Sequence, residues 1–252
     1  MNKFYRQIRQ TLFMEKNPGQ YLKYAIGEIV LVVIGILIAL SINNWNQQRI
    51  ENNKSVELLK GITKDLRTDI ANHDRMSIHY ENRIAFFDRH MVKTDFSSTS
   101  IDTILALFDG STGFFNVTDQ SYQKVKNLGI SMISQNDSLT DRINIYYTLS
   151  KETTELMGDY DFQQTEEEND FWMKEQITVE HNFGLAEQIP LLQDRSEQRM
   201  NALELISSPQ GRNYLKMEYL RKKMILSYQQ RARAQAQELL DDIEEYLKAN
   251  LS

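Results

Sequence analysis

A single apolar run constrains this chain more than any other feature. Of the 18 residues in Ala25–Ile42, only Glu28 is charged. A helix of that length rises about 27 Å, which approaches the hydrocarbon thickness of a bilayer. Tyr21 and Tyr24 precede the run and Trp45 follows it, as expected of amphipathic rings in the headgroup layers. The run predicts a transmembrane helix, because the alternative of a buried helix in a soluble domain would need a core on every side.

Positive charge is more frequent before the run than after it, and this bias sets the predicted orientation. The N-terminus is expected in the cytoplasm and the bulk of the chain in the periplasm, with the helix in a bacterial inner membrane. The predicted domains are a cytoplasmic segment 1–20, a transmembrane helix 21–45 and an extracytoplasmic helical domain 46–252. The basic residues compared are Lys3, Arg6, Arg9, Lys16 and Lys23 before the run, and Arg49, Lys54 and Lys60 after it.

The first segment has the pattern of a short basic amphipathic helix on an anionic membrane surface. Its apolar residues Phe4, Ile8 and Leu12 share one helical face, and "NPGQ" at 17–20 is expected to end that helix. A cleaved signal peptide is the alternative, because Ala39-Leu40-Ser41 has a spacing that a signal peptidase accepts. The long preceding region and the lack of a polar stretch before that point favour a retained anchor.

Composition restricts the partners and chemistry of the rest of the chain. After Trp45 come 24 basic and 33 acidic residues, and this negative balance argues against nucleic acid as a partner. The chain has no cysteine, which excludes disulfides, thiol chemistry and cysteine-ligated metals. Stability must therefore come from packing or from assembly.

Beyond the apolar run, apolar residues recur at intervals of three or four, which is typical of a long helix with one buried face. We expect the transmembrane helix to continue, with a flexible joint at "NNWNQQ", into a helix that ends near His90. The residues of this stripe are Leu59, Ile62, Leu66, Ile70, His73, Ser77, Tyr80, Ile84, Phe87 and Met91.

The remaining sequence predicts further helices and an all-α fold, an antiparallel bundle or coiled coil. A short helix is expected to end near "DGSTG", and a second one is expected to be capped at Gly129. Asp137 or Ser138 is expected to cap a third that reaches about Ile177. Ser208 before Pro209 predicts a final helix to about Lys248. The expected buried residues are Leu139, Ile143, Tyr146, Thr153, Leu156 and Tyr160 in the third helix, and Leu215, Leu220, Met224, Leu239, Ile243 and Leu247 in the last.

Two motifs resemble a family of uncharacterised single-pass membrane proteins common in Bacteroidota. They are "YAIGEIVLVVIGILIALSINNWN" at Tyr24–Asn46, which is highly specific, and the looser "SYQKVKNLGISMISQNDSLTDRINIYY" at Ser121–Tyr147. Relatives typically carry a lysine after the glycine of "KNLG", where this chain has Ile130. The resemblance implies a membrane anchor and a helical fold, and it implies no activity.

Glu28 has three interpretations from sequence. Near the cytoplasmic edge, its carboxylate can reach the headgroups or Lys23. Alternatively, Gly27, Gly35 and Ala39 permit close helix packing, and Glu28 lies almost on the same face as Gly35, so it can form a hydrogen bond in an oligomer. The third interpretation is a carboxyl group that carries protons in a transport or energy-transducing complex.

No residue pattern indicates catalysis, a cofactor or a metal. The four histidines lack metal-binding spacing, and the acidic stretch at 159–170 lacks the alternation of a calcium loop. The sequence therefore predicts a non-enzymatic, membrane-anchored scaffold or interaction module. Its expected partners are the lipid bilayer, further copies of itself and another envelope protein. The alternative is a subunit of a proton-linked membrane complex that uses Glu28.

Overall fold

A computed structural model describes residues 18–110, 112–113, 115–130, 133–171, 174, 178–181, 184–185 and 187–251. The regular secondary structure of the described residues is helical, and these residues contain no strand. The helices are α1 (Pro18–His90), α2 (Ile101–Leu107), α3 (Gln120–Asn127), α4 (Asp137–Ile145), α5 (Lys151–Asp170), α6 (Arg195–Ser207) and α7 (Pro209–Leu251), and a π-helical turn, Tyr146–Ser150, joins α4 to α5. The all-α class is thus confirmed.

The chain divides into two units, residues 1–55 and 56–252, and both draw residues from α1. Helix α1 is continuous through Asn43–Gln48, so the expected joint at "NNWNQQ" is helical, and α1 ends at His90 as predicted. Pro18, Gly19 and Gln20 also belong to α1. The predicted amphipathic helix that precedes them lies outside the described residues.

The predicted stripe of α1 forms one side of the interior of unit 56–252. Eight of its ten residues are buried, and Ser77 and Met91 are half-buried. Opposite them runs α7 in the antiparallel direction, since Arg67 of α1 pairs with Glu244 of α7 while Arg83 pairs with Glu218. The 3.5-residue spacing correctly predicted both this helix and its buried face.

Helix α3 ends at Asn127, and Gly129 belongs to the motif that caps it, as the sequence predicts. Gly129 has a φ of 64°, a left-handed conformation that glycine adopts without the usual steric cost. Its N–H donates to the carbonyl of Lys126 over 3.0 Å, and the N–H of Ile130 donates to the carbonyl of Val125 over 3.2 Å. These two bonds satisfy carbonyl groups at the helix end in the Schellman pattern.

The start of α4 lies close to the prediction, but its cap is a different residue. Asn136 caps the helix, because its Oδ1 accepts the N–H of Leu139 over 3.1 Å. Asp137 is the first helical residue rather than the cap. Asparagine and aspartate are both favoured as N-cap residues, because a short side-chain oxygen can accept a hydrogen bond from a backbone N–H two or three residues ahead.

For the predicted helix that starts near Asp137, the predicted buried face is correct only as far as Tyr146, the first residue of the π-helical turn. Leu139, Ile143 and Tyr146 are buried, whereas Leu156 and Tyr160 are exposed and Thr153 is half-buried. Thr154 and Asp161 are buried instead. A π turn is wider than an α turn, so the side-chain phase that precedes it does not extend beyond it. The described helix ends at Asp170, and the predicted end at Ile177 lies outside the described residues.

The last helix begins where Ser208 and Pro209 predict. The Ser208 hydroxyl accepts the N–H of Gly211 over 3.0 Å, and α7 follows directly on α6, a helix additional to the predicted elements. Leu215, Leu239, Ile243 and Leu247 are buried as expected. The expected burial of Leu220 and Met224 is wrong, because both are exposed and charged residues occupy the inner face of this part of α7.

Candidate functional site

The apolar part of α1 is the first candidate site. Within the described residues, α1 is the one helix that is long and apolar enough to cross a membrane by length and composition. Its most apolar 18-residue window has a mean hydropathy of 2.8, and no part of that window is buried. Unit 56–252, in contrast, buries most of its large apolar side chains. An exposed apolar surface of this size is compatible with a membrane anchor.

The predicted contact residues of the apolar segment lie along an open surface of α1. Gly27, Glu28, Gly35 and Ala39 are all exposed. A methyl group added at Gly27 or Gly35 would have no neighbour within 4 Å. Seven helical residues rotate about 20° short of two full turns, so Glu28 and Gly35 share a face and lie about 10.5 Å apart along the axis.

Two of the three predicted interfacial anchors can be placed. Tyr24 and Trp45 each expose 63% of their surface. The guanidinium of Arg49 lies 5.5 Å from the centre of the Trp45 ring. Tyr21 belongs to α1, but its side chain lies outside the described part of the structure. This arrangement keeps both rings available to a headgroup layer.

A buried ionic cluster is the main polar feature of unit 56–252, and we call it the Asp161 cluster. Asp161 has no exposed surface, and its Oδ1 lies 3.0 Å from Lys222 Nζ and 3.1 Å from Arg221 Nε. Its Oδ2 accepts the hydroxyl hydrogens of Tyr80 over 2.7 Å and Thr112 over 3.0 Å. One carboxylate therefore joins α1, α5, α7 and the segment after α2.

Electrostatics in the Asp161 cluster follow from burial. Removal from water lowers the pKa of Lys222, although the Asp161 carboxylate opposes this shift. Burial and the same carboxylate raise the pKa of Tyr80, so its phenol stays protonated and donates its hydrogen bond.

A second ion pair lies one helical turn away in both α1 and α7. The Arg83 guanidinium donates to Glu218 Oε1 through Nη2 at 2.9 Å and through Nε at 3.1 Å. It also donates to the carbonyl oxygens of Ala106 and Leu107 over 2.7 and 2.9 Å. Those carbonyls end α2, so Arg83 completes a helix end as well as an ion pair.

These charges lie at the boundary between two apolar cores. One core includes Tyr80 of α1 and Ile225 of α7, together with residues nearer the C-terminal end of α7. The other includes Phe87 of α1 and Leu215 of α7, together with α2 and α6. The polar layer fixes which part of α7 faces which part of α1, since a shift along the axis would leave buried charges without partners.

Further buried polar residues of α1 hold neighbouring segments. His73 Nδ1 lies 2.6 Å from Gln229 Oε1, so His73 is a packing residue with a satisfied hydrogen bond. Asp69 accepts the Tyr146 hydroxyl over 2.9 Å and the N–H of Thr118 over 2.8 Å. Burial raises the pKa of Asp69 to about 6. These contacts attach α7, the π-helical turn and the segment before α3 to α1.

The ion pairs of these clusters connect helices of unit 56–252 to one another. The described residues contain no group of three or more histidine, cysteine, aspartate or glutamate side chains that could hold a metal ion. In the Asp161 cluster, Lys222 Nζ and Arg221 Nε both lie within 3.1 Å of the Asp161 carboxylate. We therefore assign these clusters to positioning of the helices.

The Asp161 cluster was not predicted from the sequence, because apolar residues were expected on the inner face of α7. The spacing contained a usable signal: Leu215, Glu218, Lys222, Ile225 and Gln229 follow one another at intervals of three and four. Those five residues are all buried. The partner carboxylate at Asp161 carried no such signal, since it lies in an acidic stretch that resembles a solvated helix face.

A protein family described as "Family of unknown function (DUF6090)" matches residues 28–148 of the chain. The match includes most of the apolar segment, the long stripe of α1 and the helices as far as the π-helical turn. No curated protein and no solved structure matches the chain. Similarity to this family fits an uncharacterised helical domain and assigns it no reaction.

Proposed function

We propose that this chain is a non-enzymatic membrane protein, anchored by residues 21–45, that presents unit 56–252 as an interaction module or scaffold of a bacterial envelope. The exposed apolar surface of α1 carries this proposal. Fifteen large apolar side chains from Leu22 to Trp45 are exposed. Exposure of that surface to water would cost tens of kcal/mol of free energy, at roughly 25 cal/mol per Å². A bilayer removes this cost because lipid chains are as apolar as the helix.

The non-enzymatic part of the proposal is supported by the use of the charged groups. Asp161, Lys222, Arg83 and Glu218 satisfy one another inside unit 56–252. A rigid helical body with an internal polar layer suits presentation of a surface. Assembly into a homo-oligomer, in the membrane and through the exposed surfaces of unit 56–252, belongs to the same proposal.

Membrane extraction tests the anchor. The full chain is expected to stay in the membrane pellet at alkaline pH and to leave it only with detergent. A variant with Leu31→Lys, Ile34→Lys and Ile38→Lys should become soluble or be degraded, because each central lysine costs roughly 3 kcal/mol of insertion. A matched control with Lys54→Ala, Lys60→Ala and Lys64→Ala should remain in the pellet. Recovery of the wild-type chain in the alkaline supernatant would refute the anchor.

Thiol labelling tests the orientation, and the chain suits this method because it has no cysteine. Val92→Cys introduces one thiol at a residue with 77% of its surface exposed. A maleimide that cannot cross membranes should label it in cells with a permeabilised outer membrane. Asn2→Cys should be labelled only after the inner membrane is lysed. The reverse pattern would contradict the proposed periplasmic placement of unit 56–252.

The alternative role of Glu28 is decided by a variant of that residue. If Glu28 carries protons, Glu28→Gln should abolish proton-linked function while membrane anchoring and assembly stay intact. If Glu28 only reaches the headgroups, the same variant should behave as wild type in both respects. The exposed position of Glu28 in the apolar segment is the observation that motivates this comparison.

A further inference from the structure

Helices α5 and α7 have outer faces of opposite charge, and both faces carry exposed apolar side chains. The 20 residues of α5 contain eight acidic residues, of which Asp161 is buried, and one basic residue. The stretch 209–236 of α7 contains seven basic residues, of which Arg221 and Lys222 are buried, and one acidic residue, the buried Glu218. Neighbouring helices with such unequal charge attract each other inside one chain, and their outer faces keep the same asymmetry.

The outer face of α7, which we call the basic face, is a helical stripe. Met217, Leu220 and Met224 expose 67%, 60% and 45% of their surfaces, and their spacing of three and four places them on one side of the helix. Lys216 and Lys223 lie along the edge of this stripe and are exposed. Single exposed apolar residues are common, but three on one helical face next to two lysines indicate a binding surface.

The outer face of α5, which we call the acidic face, is its counterpart. Leu156 and Tyr160 expose 59% and 37% of their surfaces and lie one helical turn apart. Glu152, Asp159 and Glu166 are exposed and follow one another at intervals of seven residues. The face therefore combines a short apolar strip with a row of carboxylates.

The charge rows on the two faces have the same repeat. Seven helical residues advance about 10.5 Å, so the carboxylates of the acidic face and the ammonium groups of the basic face recur at equal distances. Equal spacing lets Lys216 and Lys223 pair with two successive carboxylates at the same time. This resembles the flanking charges that select partners in coiled coils.

Within one chain the two faces cannot meet, because α5 and α7 already pack through their inner faces. Asp161 Oδ1 lies 3.0 Å from Lys222 Nζ, and Thr154 Oγ1 lies 3.5 Å from the Tyr228 hydroxyl oxygen. These contacts also make the two helices antiparallel neighbours. A second copy related by a two-fold axis can therefore place its α7 on the first α5 and its α5 on the first α7.

We propose that the acidic face of α5 and the basic face of α7 form an isologous interface between two copies of this chain. The inference rests on the proposed function, since the membrane anchor confines the copies to one plane and raises their effective concentration. The apolar strips exclude water at the centre of the interface, and the charge rows set the register. Confinement allows a contact of modest solution affinity to assemble in the membrane.

Charge reversal tests this interface with the full chain in its membrane. Two differently tagged copies are expressed together, and the fraction of one that copurifies with the other in mild detergent is measured. Variant A carries Asp159→Lys and Glu166→Lys, and variant B carries Lys216→Glu and Lys223→Glu. Two wild-type copies should copurify. When A is paired with A, or B with B, the copurified fraction should fall at least tenfold, because both contacts of the dimer then join like charges.

The mixture of A with B is the decisive measurement. Its acidic and basic faces are complementary again at both contacts, so copurification should return to near the wild-type level. A misfolded variant would not recover in this way. A control with Lys64→Glu and Lys124→Glu changes exposed lysines on other helices and should copurify as wild type.

Three outcomes would overturn the interface: wild-type copies that do not copurify, A with A retained at the wild-type level, or A with B not restored. Dissociation by Gly35→Leu alone, with A and B unaffected, would locate assembly in the apolar segment instead. Each of these results leaves the alkaline extraction unchanged, so failure of the interface is distinguishable from failure of the membrane anchor.

Discussion

Lys222 Nζ of α7 lies 3.0 Å from Asp161 Oδ1 of α5, and neither side chain exposes any surface to solvent. The pair lies between two apolar cores, where an ion pair is costly to desolvate. The ion pair therefore contributes to the specificity of the fold. It favours the observed axial position of α7, because in that position both charges have a partner. The Arg83–Glu218 pair adds a second constraint of the same kind.

The two residues of this pair should differ in their effect on stability. Asp161→Asn leaves Lys222 and Arg221 buried without their carboxylate, so it should lower the free energy of unfolding by roughly 3–5 kcal/mol. Lys222→Met leaves Asp161 with Arg221, Tyr80 and Thr112, and it should cost roughly 1–3 kcal/mol. Urea unfolding followed by circular dichroism measures both. Equal losses would contradict the central position of Asp161.

Arg83 should not be replaceable by lysine. Its guanidinium binds Glu218 and two carbonyl oxygens at once, which a single ammonium group cannot reproduce. We expect Arg83→Lys to lower the free energy of unfolding by roughly 1–3 kcal/mol. Arg67→Lys is the matched control, because the Arg67–Glu244 pair is largely exposed and should contribute less than about 1 kcal/mol. A similar loss in both variants would show that the geometry of Arg83 is unimportant.

Asp69 should make the fold less stable as pH rises from about 4 to 6. Burial raises its pKa from 3.8 to about 6, so the folded chain holds this proton more tightly than the unfolded chain does. Its contribution is full below pH 4 and is lost as pH rises through the folded pKa, by at most about 3 kcal/mol. Asp69→Asn should remove this part of the pH dependence. An unchanged pH profile in the variant would contradict the raised pKa.

Sequence patterns predicted those parts of the fold that depend on the local spacing of apolar residues and on residues that end a helix. The stripe from Leu59 to Met91 identified the buried face of α1, and Gly129 identified the end of α3, since each signal lies within one helix. Burial of Lys222 depends on Asp161, which is 61 residues away. Leu220 and Met224 were assigned to the core because they are apolar, although the spacing of Glu218 and Lys222 fits the inner face better. The phase change at the π-helical turn likewise has no local signal.

The junction of α6 and α7 should not tolerate a side chain at Gly211. A Cβ at this position would overlap the carbonyl oxygen of Leu205, which is backbone and cannot rotate away. Alanine gains about 1 kcal/mol over glycine in helix propensity, and overpacking costs roughly 1–3 kcal/mol. Because Ser208 also holds the Gly211 N–H, the junction has little room to relax. We expect Gly211→Ala to lower the free energy of unfolding.

Gly61→Ala provides the comparison, since it is also a helical glycine with a close neighbour. Its Cβ would lie 2.6 Å from the hydroxyl oxygen of Ser121, a side-chain atom that can rotate. The gain in helix propensity should offset most of that adjustment, so Gly61→Ala should unfold close to wild type in the same urea titration. If Gly211→Ala were as stable as Gly61→Ala, the contact between α6 and α7 would have to be looser than the backbone positions of Leu205 and Gly211 indicate.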